Sequence, residues 1–115
     1  MIQYFIKGRD HKSVIYREGE VEHICDIPNL SDNQTEWATL INAMRMISGS
    51  EELRYSGTTL CTDSLLLFKQ LTNQCRVKAP SLRPLFYEYN ELHNQLSGVV
   101  IGIKYVAENK AREFL

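Results

Sequence analysis

The rhythm of apolar and polar positions changes along this chain, and each change marks a new kind of element. In "IQYFIKG" and "SVIYREG", Ile, Val, Tyr and Phe crowd into short runs, and the intervening "GRDHK" carries Gly8 and Asp10, residues suited to a turn. "EVEHICDI" alternates imperfectly after the turn residues "REGE". Three strands on short connections predict an antiparallel meander. Pro28 and "NLSDNQTE" then break the pattern, and Trp37, Leu40, Ile41, Met44 and Ile47 recur at helical spacing. Ser31, Asp32 or Asn33 can cap that helix, and Gly49 is suited to end it.

"SGSEE" reads as a loop, and "LRYSGTTLCT" holds a fourth strand over Thr58 to Thr62. A second helix is predicted from Ser64 to about Asn73 on Leu66, Leu67, Phe68 and Leu71. Pro80 and Pro84 punctuate an irregular stretch. A third helix follows, from about Leu82 to Leu96, with Gly98 beyond it. "VVIGIKYV" is a strand and "AENKAREFL" a short terminal helix. The order βββαβααβα, without repeat or linker, predicts one α/β domain over residues 1–115. Strands alternating with helices in the second half imply parallel pairings, hence a five-stranded mixed sheet flanked by helices.

Composition narrows the function classes. Hydrophobic residues at 43% and charged residues at 23% are ordinary for a globular protein, and no apolar run approaches the ~20 residues of a membrane span. A net charge of −1 argues against a non-specific DNA binder, which is normally basic. It leaves room for a nucleic-acid enzyme whose metal ions bring positive charge. The three cysteines form no C-x-x-C pair, and Cys25 and Cys61 sit in apolar runs, as expected of reduced thiols in an intracellular, cytoplasmic protein. Lys7, Arg9, Lys104 and Lys110 are scattered and read as surface charges.

The candidate chemistry centres on "TTLCTDSLLLFKQL", where an apolar run ends on Asp63 and passes directly into a helix. Asp63 or Ser64 could cap that helix, or Asp63 could be a metal-binding carboxylate at a strand tip. Glu36 is open in the same way: three residues after Asn33, it could complete a capping box or serve as an acid. Three patterns in order resemble the ribonuclease H family. "SDNQTEWATLINAM" is similar to the family's first helix, with Asn33 preceding Glu36; "CTDS" is similar to its T-D-S at the end of the fourth strand; and "IKYVAENKAREFL" is similar to its closing strand and helix, with Asn109 and Leu115 matching and Glu113 in place of the last Asp.

The resemblance implies a ribonuclease H-like fold and metal-dependent endonucleolytic hydrolysis of the RNA strand of RNA–DNA hybrids. Two Mg²⁺ (or Mn²⁺) ions would be held by the catalytic and metal-ligating Glu36, Asp63 and Glu113. Asn33, Ser64 and Asn109 would be substrate-binding residues, and nucleic acid the partner. It also exposes departures. The family's first-strand Asp, usually in "Y-x-D-G-S", is lacking: the comparable stretch is "YFIKG", where Ile6 or a neighbour takes its place. Arg112 replaces a small residue, and no His-containing loop precedes the final helix. Reduced activity follows from these changes, or a catalytically inactive relative that keeps the fold as a nucleic-acid- or protein-binding module.

Overall fold

A computed structural model describes residues 1–115. Strands β1 (Ile2–Arg9), β2 (Lys12–Arg17) and β3 (Glu20–Asp26) form the expected meander. They are followed by helices α1 (Asp32–Ser48) and α2 (Glu51–Ser56), strand β4 (Thr58–Thr62), helix α3 (Leu65–Leu71), a 3-10 turn at Pro80–Leu82, helix α4 (Arg83–Gln95), strand β5 (Ile101–Tyr105) and a terminal 3-10 turn at Lys110–Phe114. The five strands lie in the order β3-β2-β1-β4-β5, with β1–β4 and β4–β5 parallel. No helix is long and apolar enough to cross a membrane.

Two elements differ from the sequence expectation. "SGSEE" is the start of α2 rather than a loop, because Ser50 caps Leu53 and two glutamates lie in the first turn, where the helix dipole favours negative charge. The terminal segment winds as a 3-10 turn instead of an α-helix. The β1–β2 connection is a two-residue hairpin in which Asp10 and His11 both have positive φ, a geometry that matches the twist of the strands. Asp10 therefore lies in the turn, as its sequence position implies.

β1 is central and covered on both faces, which explains its unbroken apolar run. Tyr4 and Ile6 join Ile15 and Leu60 beneath Trp37, Leu40, Met44 and Ile47 of α1. Phe5 faces the other way, with Val14, Cys61 and Ala111. Trp37 is fully buried, edge-on to Phe86 and Tyr89 of α4, and its Nε1 donates to Gln70 Oε1 at 2.9 Å, which ties α1 to α3. Its role is packing. All three cysteines are free.

The contact that sets the site is between α1 and the end of β1. A Cβ on Gly8 would lie 2.7 Å from Thr39 Oγ1 and closer still to the Thr35 carbonyl oxygen. Thr39 Oγ1 in turn lies 2.8 Å from Ser13 Oγ, so helix and hairpin are joined by polar contacts as well as apolar ones. The absent side chain brings the first turns of α1 against the strand tip. Gly8→Ala is expected to destabilise the protein by about 1–3 kcal/mol, the range for forced overpacking, as read from urea unfolding.

Candidate functional site

The parallel pairing of β1 and β4 assembles the site. Phe5 and Cys61 are register partners, so two residues further along each chain Lys7 and Asp63 come to the same face at the carboxyl ends of the strands. Ser64, not Asp63, caps α3: its Oγ accepts from Leu67 N at 3.2 Å, which leaves the Asp63 carboxylate free to turn inward. A parallel substitution occurs on α1. The capping box is formed by Ser31 and Gln34, so Glu36 has no capping duty and points to the same centre.

Glu36 and Asp63, far apart in sequence, thus come to one point. What lies between them is Lys7. Its Nζ is 2.6 Å from Glu36 Oε1 and 2.9 Å from Asp63 Oδ1, with all three side chains buried. Arg112 covers Asp63 from outside, its Nε donating to Oδ2. Lys7, expected on the surface, is 6% exposed. In the β1 register it is the residue directly before Gly8 that reaches the acids, rather than Ile6, which belongs to the α1-facing core.

The remaining candidates separate by role. Glu113 is exposed on the terminal turn and does not join the other two acids; its neighbour Arg112 does. Nowhere do three His, Cys, Asp or Glu side chains converge to hold a metal ion, so the expected Glu36–Asp63–Glu113 ligand set does not assemble. Asn109 is a clamp: its Nδ2 donates to the Ile6 carbonyl at 2.8 Å, and its Oδ1 caps Ala111 N at 3.0 Å. This clamp anchors the turn that carries Arg112. Asn33 keeps an unpaired buried Oδ1, as Glu36 does Oε2. Both residues line a cavity of about 240 Å³ with Lys7, Gly8, Arg9, Asp32, Ser64 and Leu66.

The electrostatics follow from this arrangement. Burial raises the Glu36 pKa above its ordinary 4.5, and the hydrogen bond and charge of Lys7 recover only part of that. Burial pushes Asp63 the same way, but Lys7 and Arg112 together outweigh it and hold the carboxyl below its ordinary 3.8. Asp63 therefore stabilises the fold above that ordinary value and loses the effect as pH falls through its folded pKa. Glu36 has the opposite sign: proton uptake favours the folded state between its raised pKa and its ordinary one. Two acids and two fixed cations leave the centre near neutrality. A divalent ion needs carboxylate oxygens around a space of its own. Here that space holds an ammonium, and the residues present do not fit magnesium or manganese.

Signals for Lys7 existed in the sequence but were ambiguous. A lysine directly before a glycine at the end of an otherwise apolar strand is also what a strand emerging into solvent looks like. Removing its charge exposes the difference. Lys7→Met is expected to cost about 3–5 kcal/mol at about pH 7, because two buried carboxylates lose their shared partner. Part of the loss should return as pH is lowered from about 7 toward the ordinary glutamate range. Glu36, its pKa raised by burial and without its ammonium, takes up a proton in the folded state before the unfolded chain does. Urea unfolding at the two ends of that range measures both.

No protein-family model matches the chain, and no curated protein matches it in sequence. Solved structures do. LC11 ribonuclease H1 in complex with an RNA/DNA hybrid is 18% identical, with 98% of this chain and 90% of that one superposed at a TM-score of 0.76. Ribonuclease H1 from the halophilic archaeon Halobacterium salinarum NRC-1 is 22% identical over 98% and 89% of the two chains, at a TM-score of 0.69. The N-terminal ribonuclease H domain of rv2228c from Mycobacterium tuberculosis is 18% identical over 98% and 88%, at 0.68. The five-stranded mixed sheet with its flanking helices is the ribonuclease H fold.

Proposed function

We propose that this ribonuclease H-like chain binds RNA–DNA hybrids at the carboxyl ends of β1 and β4 and does not hydrolyse them. The observation that carries the reading is the Lys7 ammonium between Glu36 and Asp63. Two-metal hydrolysis requires a pair of ions about 3.5–4 Å apart, clamping the attacking and leaving oxygens. Lys7 takes the place of the first-strand carboxylate that would bridge such ions, and the charge there is reversed.

Support for a nucleic-acid partner comes from the fold, shared with a protein whose structure holds an RNA/DNA hybrid, and from the cavity. Asn33 and Glu36 line that cavity, and side-chain oxygens of these types accept from ribose hydroxyls, the groups by which a protein tells RNA from DNA. Ser64 and Asn109 act as positioning residues for the elements around them. The hydrolytic reading keeps one observation in its favour. Glu36 Oε2 is buried without a partner, an acceptor that Lys7 leaves unsatisfied.

A labelled RNA–DNA hybrid separates the two. Binding followed by fluorescence anisotropy is expected in EDTA, with weaker competition from duplex DNA of the same sequence. No product is expected at high enzyme with Mg²⁺ or Mn²⁺. Cleavage by the wild type that Asp63→Asn abolishes would restore the nuclease reading, and failure to bind any hybrid would remove the nucleic-acid one.

A further inference from the structure

We infer that the hollow between the end of α3 and one face of α4 is a binding site for a single nucleotide, its base held at Gln70 and its phosphate at Arg76. The site stands apart from the charged centre: Gln70 lies about 9 Å along the helix axis from Ser64, and nothing in it depends on hybrid binding. Two adjoining cavities, of about 340 and 200 Å³, meet there and share Gln70, Asn73 and Phe86. The larger falls at the lower end of the size range of small-molecule sites. On α4, Phe86, Tyr89, Asn90 and His93 follow at three- and four-residue steps, so two aromatic rings, an amide and an imidazole share one face of the helix. Trp37 stands edge-on behind both rings, at centroid distances of 6.0 and 5.7 Å, which fixes the aromatic wall.

Gln70 supplies the recognition. It is 7% exposed, yet only half of its amide is used. An indole N–H can only donate, so Trp37 Nε1 requires the oxygen, and Gln70 Oε1 accepts from it at 2.9 Å. That fixes the orientation of the amide. It leaves Nε2, with two donors and no partner in the protein, for the cavities that Gln70 lines. A group that binds there must bring an acceptor on a body flat enough to lie along Phe86 and Tyr89, and the carbonyl of a nucleobase is such an acceptor. Charge sets the other end. No acidic side chain lines either cavity, and the exposed Arg76 and His93 stand at the rims. An exposed guanidinium, with its fork of donors, suits a phosphate. Base, sugar and phosphate thus meet in turn a donor, an apolar wall and a cation. Uridine 5′-monophosphate, with its carbonyl oxygens on a single ring, carries all three.

The chain has one tryptophan, and its indole N–H, bonded to Gln70, reports on the site in a ¹⁵N NMR spectrum. Uridine 5′-monophosphate, uridine and inorganic phosphate are each titrated into the whole chain in EDTA. The monophosphate is expected to move the Trp37 indole signal saturably, with a Kd of about 1 mM or below, and phosphate alone to leave it in place. Arg76→Met is expected to weaken the monophosphate about tenfold and uridine hardly at all. Gln70→Glu keeps an acceptor for Trp37 but removes the free donors, and is expected to abolish the response to both. Should Gln70→Glu fail to fold by circular dichroism, Arg76→Met and the comparison with uridine decide alone. A hybrid with an unpaired uridine tract and a blunt hybrid then separate the sources of the nucleotide. Movement of the signal by the tailed hybrid and not the blunt one supports an unpaired end of a strand; movement by the monophosphate alone supports a free nucleotide. A signal that neither the monophosphate nor the tailed hybrid moves overturns the inference. So does one that phosphate alone moves equally, or a response to the monophosphate that Arg76→Met leaves intact. If no hybrid binds, the function proposed above fails and the monophosphate titration decides this site by itself.

Discussion

Two carboxylates can be buried together at the tip of a sheet only when a positive charge lies between them. In this chain the charge comes from Lys7, whose ammonium bridges Glu36 and Asp63. Leaving either acid or the lysine unpaired there would be far more costly than having none of them, because an ion in a dry site keeps its desolvation penalty without its partner. The pair of acids and the lysine are therefore one unit. Arg112 completes it from the solvent side, which is why Asp63 is held below its ordinary pKa while the more deeply buried Glu36 is held above.

Everything around that unit serves to bring four side chains from four places in the chain to one point. Gly8 lets α1 approach the end of β1. The Ser31–Gln34 capping box starts the helix so that Glu36, two residues past the box, is free. Ser64 takes the capping role on α3 and releases Asp63. Asn109 ties the terminal turn to the Ile6 carbonyl and so carries Arg112 into place. Each of these is a small local preference, and none refers to the others. Their agreement on one point is a property of the fold.

That agreement has a consequence for function. In this chain the sheet brings Lys7 and Asp63 together at the carboxyl ends of neighbouring parallel strands, where Glu36 reaches them from α1 and a cavity lies alongside. A centre of that kind is unstable unless neutralised, and an ion from solvent or a cation from the chain can do it. An ion polarises bound water and phosphate; an ammonium fixed by two carboxylates does neither. Under the proposed function, the same scaffold keeps a surface for nucleic acid without the hydrolytic chemistry, and the cavity lined by Asn33 and Glu36 lies beside the ammonium.

Periodicity alone was enough for the meander, for α1 and for the last strand, because strands and amphipathic helices bury one face and that burial dictates spacing. Asp63 and Glu36 could be named from their local patterns, each beside a residue able to cap in its stead. Helix α2 leaves no mark in the apolar pattern because its helical character lies in Ser50, Glu51 and Glu52 rather than in an apolar stripe. Lys7 was the residue least legible. Its neighbours in sequence say that it ends a strand; that it ends facing two acids depends on which strand lies alongside and in what register. Glu113 and Arg112 are adjacent, and the direction of a single turn puts the arginine on Asp63 and leaves the glutamate in water. Charge type is written in the chain, but charge pairing is a matter of three-dimensional distance, and it is the pairing that puts an ammonium between the two acids.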